Sequence, residues 1–140
     1  MRKVEFEVTA YTFQIDFAGH VNNSVYLQWM EIGRTKLLEA AGMTIPAMME
    51  AGVVPVLAST EISYKRPLNL GDRVRVQVWL SAITGASARI EVRFLDTEGV
   101  LVASGSHRGV FVDTRRGRPL RITAKMKEGL HPFLQETGEE

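Results

Sequence analysis

One stretch of this chain has helical periodicity, and almost everything around it alternates. Tyr26, Trp29, Met30, Gly33, Leu37 and Ala41 recur at three- and four-residue steps, with Gln28, Glu31, Arg34 and Lys36 polar between them. That is the pattern of a helix with one apolar face. Asn22, Asn23 or Ser24 can cap its start, and Gly42 can supply the positive φ that ends it. Elsewhere the period is two. Over residues 3–15, Val4, Phe6 and Val8 alternate with Lys3, Glu5 and Glu7; residues 53–65 are rich in Val, Ile, Ser and Thr. Val74, Val76, Val78 and Leu80 alternate with Arg73, Arg75, Gln77 and Trp79, and Ile90, Val92 and Phe94 with Arg89, Glu91 and Arg93. Residues 100–112 read as a last long strand that Gly105 and Gly109 bend or bulge.

Leu70-Gly71-Asp72, Thr84-Gly85-Ala86 and Asp96–Gly99 supply short turns, so the later strands are antiparallel neighbours. The expected class is α+β, one long helix with a five-stranded antiparallel sheet. Residues 46–51 can add one or two helical turns, a short helix follows Leu120 and ends near Pro132, and residues 135–140 read as a frayed acidic end. One helix covers only one face of such a sheet. The other face is then hidden by a second subunit or left as a large apolar patch, and dimerisation is the simpler expectation.

A length of 140 residues fits a single domain, residues 1–140, and 45% hydrophobic with 24% charged residues is an ordinary globular composition. Lys and Arg number 17 against 16 Asp and Glu, a net charge of +1, which lacks the global field of a nonspecific nucleic-acid binder. The absence of Cys excludes disulfides, thiolate metal sites and a cysteine nucleophile, and fits a cytoplasmic protein. Neither a signal-peptide apolar run at MRKVEFEVTAYTF nor a run of about eighteen apolar residues is present, so the chain reads as complete, soluble and without a membrane partner. Phosphate-loop and dinucleotide-binding glycine motifs are also missing.

The informative segment is Asp16-Phe17-Ala18-Gly19-His20-Val21-Asn22-Asn23, where the first strand hands over to the helix. A carboxylate, a glycine turn and a helix N-terminus bring an acid–base group beside unpaired main-chain N–H groups that favour developing negative charge. Acyl transfer uses that pairing: a carboxylate to activate water or to attack, and N–H donors for the oxyanion. Asp16 also suits a plain turn, and Asn22 and Asn23 suit plain helix caps. His20 lacks a partner at metal-ligand spacing and more simply holds the loop by hydrogen bonds. Glu61 alternates with Ser59 and Ser63, as a solvent-facing strand residue would. Tyr26 belongs to the helix core and can line an acyl site. Arg115, Arg116, Arg118 and Arg121, with Lys125 and Lys127 nearby, form either a solvated turn or a phosphate-docking patch.

The same segment resembles the D-x-x-G-H-V-N-N-x-x-Y signature of hotdog-fold acyl thioesterases of the 4-hydroxybenzoyl-CoA thioesterase type, matched by Asp16, Gly19, His20, Val21, Asn22, Asn23 and Tyr26. The likeness runs on through Leu27, Trp29, Glu31, Gly33 and Arg34 and through Tyr64–Asp72, which is similar to the family's Y-x-x-P-x-x-x-G-D turn. It spans about residues 4 to 122. The resemblance implies strand order 1-3-4-5-2 around a central helix and a homodimer or homotetramer. It implies Asp16 as catalytic carboxylate, Asn23 as main-chain donor to the thioester oxygen, and a substrate site that takes in Gly19, His20, Asn22 and Tyr26. A subset, the acyl-lipid thioesterases of plants and related bacterial proteins, carries a second-strand glutamate matched by Glu61, and implies acyl carrier protein or coenzyme A thioesters of fatty acids. The family's basic cluster after the third strand is replaced here by Ala82-Ile83-Thr84-Gly85-Ala86. The expectation is an acyl-CoA or acyl-carrier-protein thioesterase with no cofactor and no metal. The other expectation is a noncatalytic acyl-thioester binding or carrier-docking module on the same fold.

Overall fold

The computed structural model describes residues 2–135, and the acidic end read at 136–140 lies outside them. Strand β1 (Val4–Thr9) leads through a 3-10 turn (Thr12–Gln14) to helix α1 (Asn23–Ala40) and the short helix α2 (Ile45–Ala51). Strands β2 (Val53–Tyr64), β3 (Arg73–Ile83), β4 (Ser87–Leu95) and β5 (Leu101–Asp113) follow. A three-residue β6 (Arg118–Leu120), helix α3 (Ala124–Leu130) and a 3-10 turn (His131–Phe133) complete the described chain. The sheet order is β1-β3-β4-β5-β2, antiparallel throughout, with β6 paired to β5.

Helix α1 lies on the inner face of the sheet, chiefly over β1 and β3. Trp29, Met30 and Leu37 from the helix meet Val74, Val76, Val78, Leu80, Val92 and Phe94, all essentially buried. Close approach depends on Gly33, where an added Cβ would stand 2.7 Å from Val78 Cγ2. Asn22 caps α1 by accepting from the Ser24 N–H at 3.0 Å. Leu130 and Phe133 from the C-terminal elements, with Ile122, are also buried in the core.

Four expectations change. The first strand ends at Thr9, and Thr12–Gln14 turn away from the sheet, the Tyr11 N–H donating to Gln14 Oε1 at 2.8 Å. The bulge opposite Gly109 lies in β2, where Leu57 pairs with Gly109 and Ser59 with Arg108, leaving Ala58 as the extra residue. Gln135 is pinned: its N–H donates to the Leu80 carbonyl at 2.7 Å. The outer face of the sheet is not a large apolar patch. Alternation sends Arg89, Glu91, Arg93, Ser104, Ser106 and Glu61 outward, and Trp79, the one aromatic among these outward positions, is 6% exposed with Lys3 Nζ 4.8 Å from its ring.

Candidate active site

The Asp16 segment folds as a miniature hairpin because Gly19 takes a φ of 86°, a conformation other residues resist. Ile15 bridges Val21, the Asp16 N–H donates to the His20 carbonyl at 2.9 Å, and the Gly19 N–H returns to the Asp16 carbonyl at 3.0 Å. The Asp16 carboxylate turns back over this loop, its Oδ1 accepting from the N–H groups of Ala18 (2.9 Å) and His20 (3.5 Å). Val21 and Asn22 then anchor the helix entrance, their N–H groups donating to the carbonyls of Leu68 and Gln14, both at 2.8 Å.

Asp16, His20, Asn23, Tyr26 and Tyr64, with Lys65 and Arg66, line one open cleft of about 300 Å³. Asn23 is the first residue of α1, and its N–H has no acceptor among the described residues, as expected in the first turn of a helix. The cleft thus holds a half-buried carboxylate and an unoccupied main-chain donor at a helix N-terminus. His20 stands at the rim: its Nδ1 lies 2.9 Å from Asn69 Oδ1, an oxygen that only accepts, so Nδ1 carries the proton. Asn69 is in turn held by the Asp72 carboxylate, which accepts from its N–H at 2.8 Å. The Leu70-Gly71-Asp72 turn therefore braces the histidine.

The wall is aromatic. Tyr26 makes edge-on contacts with Trp29 (5.5 Å), Tyr64 (5.1 Å) and Phe94 (5.5 Å). Burial, then the neighbouring Tyr64 and Asp72, push the Tyr26 pKa up to about 12, so this phenol stays neutral. Burial also raises the Tyr64 pKa, and its hydroxyl donates to the Asn23 carbonyl at 3.3 Å. In the sequence Tyr64 stands out only as the start of a turn motif, and Lys65 and Arg66 do not stand out as site residues. The signal available was their position at the end of a strand, directly before Pro67.

Two expected groups stand elsewhere. Glu61 pairs with Ser106 on the outer face, 83% exposed, with Arg89 Nη2 at 4.0 Å, so the sheet separates it from Asp16 within one chain. Arg115 and Arg116 sit on the β5–β6 turn and Arg118 opens β6 opposite Asp113, whose Oδ1 accepts from the N–H groups of Arg115 (2.8 Å) and Arg116 (3.4 Å). The Arg115 side chain packs over Gly52, just before the start of β2, whereas the cleft lies beside its end. Arg121 packs over Gly85 in the β3–β4 turn, apart from the others. No group of three His, Cys, Asp or Glu among the described residues is arranged to hold a metal ion, and no described helix is long and apolar enough to cross a membrane.

The sequence profile of the Thioesterase-like superfamily matches residues 12–130 of the chain. The Bacillus subtilis protein YneP is 31% identical over 121 residues, 86% of each chain. The Escherichia coli long-chain acyl-CoA thioesterase FadM is 27% identical, covering 88% of this chain and 93% of its own. Among solved structures, the DHNA-CoA thioesterase of Staphylococcus aureus superposes with a TM-score of 0.82 at 19% identity, over 87% of this chain and 82% of its own. That last likeness is one of fold.

Proposed function

This chain belongs to the thioesterase-like superfamily, and we propose that it hydrolyses acyl-CoA thioesters at the Asp16 cleft. The reading rests on one observation above others: the Asp16 carboxylate and the unpartnered Asn23 N–H open onto the same cleft. The thioester carbonyl oxygen accepts from the Asn23 N–H, where the helix end stabilises the oxyanion. Asp16 takes a proton from water as the hydroxide oxygen bonds to the carbonyl carbon. The tetrahedral intermediate then collapses, the C–S bond breaks, and the departing thiolate recovers the proton from Asp16. His20 and Asn22 hold the loop and the helix entrance, Gly19 permits the turn, and Tyr26 walls the acyl group.

We also propose a homodimer through the free edge of β2. Among the described residues this strand is laddered only to β5, and its other edge, with Ala58, Ser59 and Thr60 exposed, offers a row of main-chain groups that no described strand pairs. Antiparallel pairing centred near Ser59 sets the partner's Gly52 opposite Arg66. The partner's Arg115, lying over that glycine, then joins Lys65 and Arg66 beside the cleft. Arginines remote from Asp16 in one chain become a phosphate grip in two, which suits the nucleotide of coenzyme A.

The test is thiol release from acyl-CoA and from acyl carrier protein. Asp16→Asn keeps an oxygen for the Ala18 N–H, so the loop and dimer survive while kcat falls by about a hundredfold or more. Glu61→Gln leaves kcat within about twofold, because the outer face takes no part in the step. Unchanged turnover in Asp16→Asn overturns the mechanism, and no release from any thioester favours the noncatalytic binding module. Release from acyl carrier protein but not from acyl-CoA moves the substrate assignment.

A further inference from the structure

The Asp16 cleft contains a second acceptor that the hydrolytic step does not use. His20 lines the cleft together with Asp16 and Asn23, and its side chain is exposed there. Its main-chain N–H lies 3.5 Å from Asp16 Oδ1, so the imidazole stands within one side-chain length of the acid. Its Nδ1 lies 2.9 Å from Asn69 Oδ1. That oxygen only accepts, so in the neutral ring the proton is on Nδ1, and Nε2, on the opposite side of the ring, is left as an acceptor. Among the described residues Nε2 has no hydrogen-bond partner.

The oxygen that fixes this tautomer is carried on a firmly bonded turn. The Asn69 N–H donates to Asp72 Oδ2 at 2.8 Å, and the Asn69 carbonyl accepts from the Asp72 N–H at 3.0 Å. On either side, the Leu68 carbonyl accepts from the Val21 N–H at 2.8 Å and the Gly71 N–H donates to the Ala10 carbonyl at 2.9 Å. None of these bonds uses the Asn69 side chain. Among the described residues its amide has one hydrogen bond, to His20, so its work is done on the histidine and not on the turn.

A free acceptor in a cleft selects a ligand that brings a donor. The thioester group has none. The nearest donor in an acyl-CoA is the first amide N–H of the pantetheine arm, two carbons beyond the sulfur. In the proposed pose the carbonyl sits at the Asn23 N–H and the phosphates lie toward Lys65 and Arg66, which line the same cleft as His20, so the arm between them crosses the rim where His20 stands. We propose that His20 Nε2 accepts from this amide N–H, and that Asn69 is the positioning residue that enables it to do so by fixing the tautomer. The opposite tautomer would set one N–H against another. This recognition rests on the thioesterase reading of the Asp16 cleft and concerns the thiol half of the substrate, whatever its acyl chain.

The experiment compares kcat/KM for an acyl N-acetylcysteamine thioester and for the matched thioester of mercaptoethyl acetate, in which an ester oxygen replaces the N–H. Each value is divided by that compound's rate of alkaline hydrolysis. The amide should be favoured by about tenfold, chiefly through KM, since one hydrogen bond is lost and two lone pairs are opposed in the ester. Asn69→Leu and His20→Phe should each bring that ratio to about one, whereas a role confined to holding the loop would slow both substrates alike. A wild-type ratio at or below one overturns the proposal and leaves Nε2 to solvent, and an unchanged ratio in either variant overturns it as well. A second readout is independent of turnover. With isotopically labelled histidine nitrogens, nuclear magnetic resonance should show His20 as the Nδ1–H tautomer, and Asn69→Leu should shift it toward the other; the Nε2–H tautomer in the wild type overturns the proposal. If no thioester is hydrolysed, coenzyme A titrated into the labelled protein separates the two ideas. A displaced His20 Nε2 resonance upholds the contact while the hydrolytic reading fails, and an unmoved one removes both.

Discussion

The Tyr64 hydroxyl donates to the Asn23 carbonyl at 3.3 Å, joining the last residue of β2 to the first residue of α1. The peptide unit that begins with that carbonyl continues the helix, so the bond steadies the N-terminus on which the proposed oxyanion site depends. Tyr64→Phe keeps the edge-on contact with Tyr26 and removes only the bond. The expected loss in kcat is about two- to tenfold, the worth of one modest hydrogen bond, with thermal stability nearly unchanged. Steady-state kinetics beside a melting curve checks both halves.

Charge at the β5–β6 turn reports on the dimer. Arg115→Glu should raise KM for acyl-CoA and leave KM for an acyl-pantetheine, which lacks the nucleotide, unaltered. Raising salt in the wild type should act in the same direction, since exposed charges are screened beyond about 8 to 10 Å at physiological ionic strength. A chain that sediments as a monomer, or a KM for acyl-CoA indifferent to both changes, removes the partner arginine from the site.

Helix α3 meets the end of α1 at Gly129, where an added Cβ would fall 2.1 Å from the Ala41 carbonyl oxygen. Ala is the better helix former by about 1 kcal/mol, yet overpacking against backbone costs about 1 to 3 kcal/mol or more. At so short a separation the clash wins. Gly129→Ala should lower the melting temperature by roughly 5 °C, read by calorimetry, and kcat should hold at temperatures where the protein stays folded.

Acid should weaken the fold through His107. Its pKa is lowered in the folded protein, chiefly by burial, so between that value and the ordinary 6.5 the unfolded chain binds a proton that the native state refuses. Stability therefore rises with pH through this window and falls as pH drops below about 6.5. A melting series from pH 8 to 5 should show that decline in the wild type, and a shallower one in His107→Gln. Parallel curves would assign the acid sensitivity to other groups.

The helix was legible because Tyr26, Trp29, Met30, Gly33 and Leu37 keep a period that survives any tertiary context, and β3 and β4 because Val74 to Leu80 and Ile90 to Phe94 alternate without a break, the register shifting only beyond them at Ser81. The Asp16–His20 turn was legible from its glycine. What depended on distant partners was not. Tyr64 looks like any strand residue until α1 is brought against it. His107 sits between Ser106 and Arg108 in a polar run, and only the pairing of β5 with β2 and β4 turns it inward. Strand β6, three residues containing a proline, is too short to leave a periodic trace.

The extra residue at Ala58 decides what β2 can be. On one side of it Val53, Pro55 and Leu57 pair with inward-facing positions of β5, and on the other Thr60, Ile62 and Tyr64 do. The strand thus changes parity halfway, from odd to even. Pairing Ala58 into a regular ladder would make a more conventional sheet, but it would force one half of the strand to turn over: either Glu61 would point inward and take Tyr64 away from the cleft, or Pro55 and Leu57 would leave the core. An irregularity of one amino acid is what lets the same edge strand close the hydrophobic interior at one end and present a phenol to the candidate active site at the other.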